Sequence, residues 1–209
     1  MPFPLETIYK MHIGIDFDNT LIDYSQVFNS CAKKITSATE SVLAHKNALR
    51  SYLQTKKHGN ALWTALQCRV YGQGIEKAKF SRGVLKFLYV CKRKKIPVTI
   101  ISHKSKICSE GRYHDIRTPA YLFLDRHKFY DKTGISKDLV YFEETRQDKL
   151  FRIKREKCTH FIDDLYDVFQ APTFPEKITK ILYGTNATNY GNDILSFSGW
   201  RDIMHYFFA

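Results

Sequence analysis

Apolar residues along this chain fall into short alternating runs separated by longer mixed stretches. In Met11 to Tyr24, MHIGIDFDNTLIDY, the residues Ile13, Ile15 and Phe17 alternate with small or polar ones and have no helical spacing. That pattern predicts a core strand giving way to a loop at Asp16-Phe17-Asp18-Asn19-Thr20. From Tyr24 to about Gly74 the pattern turns helical, punctuated by Gly59-Asn60 and Gly72-Gln73-Gly74. A helix is predicted over Glu76 to Lys95, where Phe80, Val84, Phe87, Leu88 and Cys91 share a face. Beyond it come a strand from Pro97 to Ser102, a helix over Tyr121 to Tyr130 and a strand over Asp138 to Phe142. A helix over Gln147 to Lys157, a strand over Thr159 to Ile162, a last strand over Lys180 to Tyr183 and a closing helix over Trp200 to Phe208 complete the series. Alternation of strand and helix predicts an α/β fold, a parallel sheet with helices on both faces. Sheets of that kind gather their sites at the carboxyl ends of strands.

The 209 residues suit one domain with an insertion, or a core plus a small cap. Hydrophobic content of 44% is enough for a packed core and argues against disorder. No apolar run reaches the roughly 18 residues of a spanning helix, so no membrane role is expected. The start, MPFPLETIYK, has neither the basic nor the long apolar region of an export signal. Cys31, Cys68, Cys91, Cys108 and Cys158 lie far apart with no C-x-x-C pair, which predicts reduced thiols and a cytoplasmic protein. A formal charge of +12 favours an anionic partner. Clusters such as Lys56-Lys57-His58 and Lys92 to Lys95 carry much of it, the latter placed where cations complement a helix end. Charge alone does not separate a phosphorylated metabolite from a nucleotide-linked sugar or a polynucleotide.

Candidate chemistry collects at the predicted strand ends. Asp16 and Asp18, two residues apart, point to one side of an extended strand and can converge on one metal ion. Their repulsion is relieved only by a cation between them. A calcium loop of the EF-hand kind needs Gly at its sixth position and Glu at its twelfth, where this chain has Leu21 and Val27. Ser102 ends its strand with a hydroxyl and following backbone N–H groups, a seat for phosphate. Two adjacent carboxylates, Asp163 and Asp164, close the run HFIDDLYD, and Lys149 and Lys154 lie upstream of them. The Asp pair can equally cap a helix. Lys149 lies near the predicted helix start, on the edge where the other groups gather, and is favoured over Lys154.

The spacing D-x-D-x-T after a hydrophobic strand resembles the first motif of the haloacid dehalogenase (HAD) superfamily of phosphotransferases. Ser102, Lys149 and Asp163-Asp164 match the order of the motifs that follow. The resemblance covers Ile13 to about Phe169. It implies a Rossmann-like core formed by residues 1–23 and 75–209, with a small helical cap inserted at 24–74. It implies Asp16 as nucleophile, taking the phosphoryl group as an aspartyl phosphate, and Asp18 as the acid and base. Phe17, Asn19, Thr20, Ser102, His103 and Lys149 are then the phosphate-binding set, His103 through its backbone N–H. Mg2+ is the implied cofactor, held by Asp16, Asp18 through its backbone carbonyl, and Asp163 or Asp164. The tail TNATNYGNDILSFSGWRDI is similar to HAD proteins found near bacterial surface-polysaccharide pathways. The implied activity is a magnesium-dependent phosphatase acting on an anionic small metabolite, a sugar phosphate or a phosphorylated sugar-nucleotide conjugate. A polynucleotide end phosphatase and a non-catalytic anion binder of the same fold are the alternatives, and no oligomeric state is implied. Phe28, Tyr52, Trp63 and Tyr71 form an aromatic stripe suited to the core of the cap, with the lining of a substrate mouth as the alternative.

Overall fold

Ile13, Gly14 and Ile15 are all buried, as expected of a strand covered on both faces of a parallel sheet. A computed structural model describes residues 11–43, 46–105, 115–185, 190–191 and 193–209. In chain order its elements begin with β1 (Ile13–Ile15), β2 (Ile22–Asp23), α1 (Ser25–Ala32), α2 (Glu40–Leu43), α3 (Lys46–Gln54) and α4 (Gly59–Tyr71). A short 3-10 helix (Gln73–Lys77) is followed by β3 (Lys79–Phe80), α5 (Val84–Arg93), β4 (Val98–His103), α6 (Arg117–Arg126) and α7 (Phe129–Thr133). The remainder is β5 (Val140–Glu143), α8 (Arg146–Arg155), β6 (His160–Asp163), α9 (Tyr166–Phe169), β7 (Thr179–Tyr183), β8 (Ile194–Phe197) and α10 (Trp200–Phe208).

Two compact units emerge. The first comprises residues 1–22, 80–103 and 128–209 and contains the whole six-stranded sheet, in the order β5-β4-β1-β6-β7-β8. Every neighbouring pair in it is parallel. β1 is central, and the chain leaves it towards β4 on one side and β6 on the other, so a crevice opens at its carboxyl end. The expected α/β class with a parallel sheet is therefore what the structure shows. Side chains alternate along the strands. Ile101, Phe161 and Leu182 join Leu150 and Ile153 of α8 in one cluster. On the other face His160 meets Phe207 at 5.1 Å and Tyr183 meets Trp200 at 5.5 Å. Gly14 must lack a side chain, because a Cβ there would lie 2.5 Å from the Phe161 ring and 2.9 Å from Cys158 Sγ.

The second unit comprises residues 23–79 and 104–127. Its first segment holds α1 to α4, which pack on one another, and its second holds α6, which packs on the 3-10 helix. The expected cap, 24–74, describes only the first segment. Residues 104–127, which the sequence assigns to the core, belong with it instead, because α6 finds its partner in the 3-10 helix rather than in the sheet. Phe28, Trp63 and Tyr71 are buried here, and Tyr52 is half-buried at its margin.

Several boundaries differ from expectation for local reasons. The helix expected from Glu76 starts at Val84, because Gly83 at φ 96° breaks the chain there, and Phe80 lies in β3 with its ring stacked on Phe129. Lys128, at φ 53°, divides the expected Tyr121 to Tyr130 helix into α6 and α7. β8 follows β7 and was hidden by the polar residues that precede it. Cys68 is disulfide-bonded, whereas Cys31, Cys91 and Cys158 are free thiols. Reduced cysteines throughout are thus not what the structure has, and that ground for a cytoplasmic location falls away; distant cysteines carry no pairing signature in sequence. Cys108 lies outside the described residues. Among the described residues no helix is long and apolar enough to cross a membrane.

Candidate active site

Asp16 follows β1 directly, and its backbone N–H donates to the Ile162 carbonyl at 2.9 Å, which continues the ladder with β6. The chain then turns sharply. Leu21 N–H donates to the Asp16 and Phe17 carbonyls at 3.2 and 3.1 Å, and Ile22 N–H to Phe17 at 2.9 Å. Asn19 takes the left-handed conformation, φ 63°, that asparagine tolerates in turns. The loop is anchored from α10, where Trp200 Nε1 donates to the Thr20 carbonyl at 3.2 Å. Phe17 is fully buried, its ring edge-on to Phe142 at 5.0 Å, so it offers a substrate only its backbone.

Four buried polar groups from four elements meet at this end of the sheet. Ser102 Oγ donates to Asp16 Oδ1 at 2.9 Å. Lys149 Nζ donates to the same oxygen at 2.5 Å and to Asp163 Oδ2 at 2.6 Å. Asp163 accepts at its other oxygen from Leu165 N–H at 2.9 Å, which orients the carboxylate. Asp16, Ser102, Lys149 and Asp163 are each at most 4% exposed. Lys149 is brought inward by the start of α8, whose N-cap Thr145 accepts from Asp148 N–H at 3.1 Å. Lys154, one turn further on, is exposed.

The electrostatics follow from crowding. Burial raises the Asp16 carboxyl, Lys149 opposes that, and the Asp163 and Asp18 charges raise it again, leaving it at about 7. Burial works against the Lys149 ammonium, but Asp16 and Asp163 outweigh it and hold Lys149 above its ordinary value. Lys149 is therefore a fixed cation.

Carboxylate oxygens of Asp16, Asp163 and Asp164 lie within 4.8 Å of one another. Three carboxylates beside one lysine leave a local excess of negative charge, and an all-oxygen donor set suits a hard divalent cation. The residues present therefore fit Mg2+. Asp164 is half-buried and receives a long, 3.5 Å contact from the hydroxyl of the fully buried Thr20. The carboxylate of Asp18 is not among the three.

Of the expected phosphate-binding residues, Thr20, Ser102 and Lys149 present buried polar side chains, and His103 is exposed at the end of β4. Lys104, which no sequence signal marked, is buried at 2% exposure.

No protein-family model matches this sequence, and no curated protein matches it. Solved structures do. A HAD-superfamily hydrolase from Ehrlichia chaffeensis is 18% identical, with 99% of this chain and 97% of that one covered at a TM-score of 0.54. A haloacid dehalogenase-like hydrolase from Streptococcus pneumoniae is 16% identical, with 96% and 100% covered at 0.63. The fold is that of the HAD hydrolases. A protein described as a predicted phosphatase from Clostridium acetobutylicum shares it at 13% identity, with 94% and 97% covered and a TM-score of 0.61. In this chain the HAD fold places Asp16, Ser102, Lys149 and Asp163 where a doubly wound sheet opens.

Proposed function

We propose that this protein is a magnesium-dependent phosphatase that hydrolyses a phosphate monoester of a small metabolite, a sugar phosphate or a phosphorylated sugar-nucleotide conjugate. The observation that supports this best is the meeting of Ser102 and Lys149 on one oxygen of Asp16, beside the carboxylates of Asp163 and Asp164. A carboxylate held in this way is oriented for attack, and the two donors that hold it suit the oxygens of an incoming phosphoryl group.

In this reading an oxygen of Asp16 attacks phosphorus while the bond from phosphorus to the ester oxygen breaks. Asp18 gives the departing alkoxide its proton, so an alcohol leaves and Asp16 carries an acyl phosphate. Asp18, now a carboxylate, takes a proton from water as that water attacks phosphorus. Inorganic phosphate leaves and both carboxyls return to their starting forms. Lys149 and the Ser102 hydroxyl hold phosphoryl oxygens throughout, joined by the backbone N–H groups of the Phe17-to-Thr20 turn and of His103. Mg2+, held by Asp16, Asp163 or Asp164 and the Asp18 carbonyl, would supply neutralising charge to the phosphoryl group.

The test is phosphate release from a panel of sugar phosphates, amino-alcohol phosphates, nucleotides and an end-phosphorylated oligonucleotide, with and without magnesium. Asp16→Asn is expected to lower release to below about one percent of the parent rate, a barrier increase of about 3 kcal/mol or more. Higher residual turnover would exclude Asp16 as nucleophile. Asp18→Asn is expected to slow esters with poor leaving groups most. Preference for the oligonucleotide would move the substrate class to polynucleotide ends.

A further inference from the structure

α8 begins just beyond the carboxyl end of β5, and its first residue, Arg146, lies three positions before Lys149. Residues so spaced share a helix face, with about 5–6 Å between their Cβ atoms. A rise of about 1.5 Å per residue sets Arg146 about 4.5 Å nearer the helix start, on the side where the crevice opens. Side chains on a helix also lean towards its start. Lys149 accordingly delivers its ammonium to Asp16 and Asp163 at 2.5 and 2.6 Å, and Arg146 stands one turn outside it, at the rim. Lys149 is buried there, whereas Arg146 is exposed.

The neighbouring strand ties this rim to Ser102. His103 follows Ser102 and pairs in register with Glu143, next to the turn into α8. The His103 ring donates to the Glu144 carbonyl, and the charges of Lys149, Arg146 and Glu144 all reach it. Burial above all, then the Lys149 and Arg146 charges, hold the imidazole below the ordinary histidine value against the pull of Glu144. The positive charge of the rim is therefore the guanidinium's rather than the imidazole's. Glu143 is engaged by another residue, Arg152, whose Nε donates to it at 2.7 Å. All these groups belong to the first unit.

A guanidinium one turn outside a phosphate-holding ammonium meets what lies a few bonds beyond the phosphate. Its planar fork matches a carboxylate or a phosphate with two parallel hydrogen bonds. We propose that Arg146 is a specificity-determining residue, whose guanidinium receives a second anionic group on the alcohol part of the ester hydrolysed at Asp16. The substrate class is then a phosphate monoester with a carboxylate or a further phosphate close to the ester oxygen. This rests on the phosphatase reading for the first phosphate, whereas the place of Arg146 rests on the helix and its register.

Titration calorimetry on the Asp16→Asn protein, in magnesium at low ionic strength, reads this apart from turnover. Two matched pairs serve as probes, phosphoglycolate with ethyl phosphate, and propanediol bisphosphate with propyl phosphate. At least one doubly anionic member is expected to bind about tenfold more tightly than its partner, and the pair that does so names the second group. Arg146→Met should lower that ratio to about twofold or less, and Arg146→Lys should keep an intermediate share, having the charge without the fork. Because Arg146 is exposed, these variants leave the core intact. Lys154→Met removes the same charge from an exposed position further along α8 and should leave the ratio within about twofold of its parent value, which separates contact from general attraction. A ratio unchanged by Arg146→Met, equal losses in Arg146→Met and Lys154→Met, or no preference in the parent protein overturns the proposal. Phosphate release from the wild-type protein is measured in parallel. A responsive ratio without release from any ester would keep Arg146 as an anion-binding residue and remove the phosphatase reading, and release with an unresponsive ratio would do the reverse.

Discussion

At the residue scale the site turns on Lys149. Its ammonium lies between two buried carboxylates, at 2.5 Å from Asp16 and 2.6 Å from Asp163, and both partners are almost wholly removed from water. Such a group is worth little as a net attraction, but removing its one cation leaves charges that nothing screens. Lys149→Met is therefore expected to lower stability by about 3–5 kcal/mol in urea denaturation. Magnesium added to the variant should return part of that loss if the carboxylates hold the ion, and a loss no greater than that of a surface lysine would show that the pair is not maintained in solution. Asp16 and Ser102 were legible in the sequence as residue types at strand ends, and Lys149 as a candidate near a helix start. Lys104 was not, because a single lysine after a strand looks the same whether it is solvated or buried.

At the element scale the position of the carboxylates depends on how closely β1 and β6 pack side by side. Gly14 is paired with Phe161, and the space over it is filled by the Phe161 ring and Cys158 Sγ. Gly14→Ala is expected to cost about 1–3 kcal/mol, since both neighbours would have to shift. Its melting transition relative to the parent checks this, and an unchanged transition would show that β6 yields freely. Strands β1, β4, β5, β6 and β7 were readable from short apolar runs, and the closing helix from its apolar spacing. β8 was not, because one buried position, Ile194, behind a polar stretch makes too weak a pattern, and its identity comes from pairing with β7. Nor was the break at Gly83, where an apolar residue, Phe80, continued a helical spacing by coincidence while stacking on Phe129.

For the whole molecule, acid is the informative stress. His160 is 8% exposed, with its ring against Phe207, and burial pushes its pKa down to about 4. Burial also lowers His12, although Glu156 opposes it. The unfolded chain takes up a proton at His160 near pH 6.5, roughly the ordinary histidine value, while the native protein does not. Stability from this group is thus complete above that pH and declines as pH falls towards about 4, by about 3 kcal/mol in all. Denaturation midpoints measured across that window should fall steeply for the parent and less steeply for His160→Gln. Parallel curves for the two proteins would mean that His160 protonates without unfolding.

What the sequence determined by itself was the local chemistry: a strand delivering Asp16 and Asp18 into a turn, Ser102 at the end of a second strand, and two carboxylates at the end of a third. Each is written within a few neighbouring residues, through alternation and the types of side chain that follow it. The tertiary structure alone decided that Lys149 bridges Asp16 and Asp163, although Asp16 lies 133 positions away in the chain. It alone grouped residues 104–127 with the helical insert and brought Lys46 and Lys104 to one tyrosine ring. The reason is physical. Strands and turns are selected by interactions between near neighbours, whereas burial of a charge is permitted only by groups that the fold supplies from distant parts of the chain.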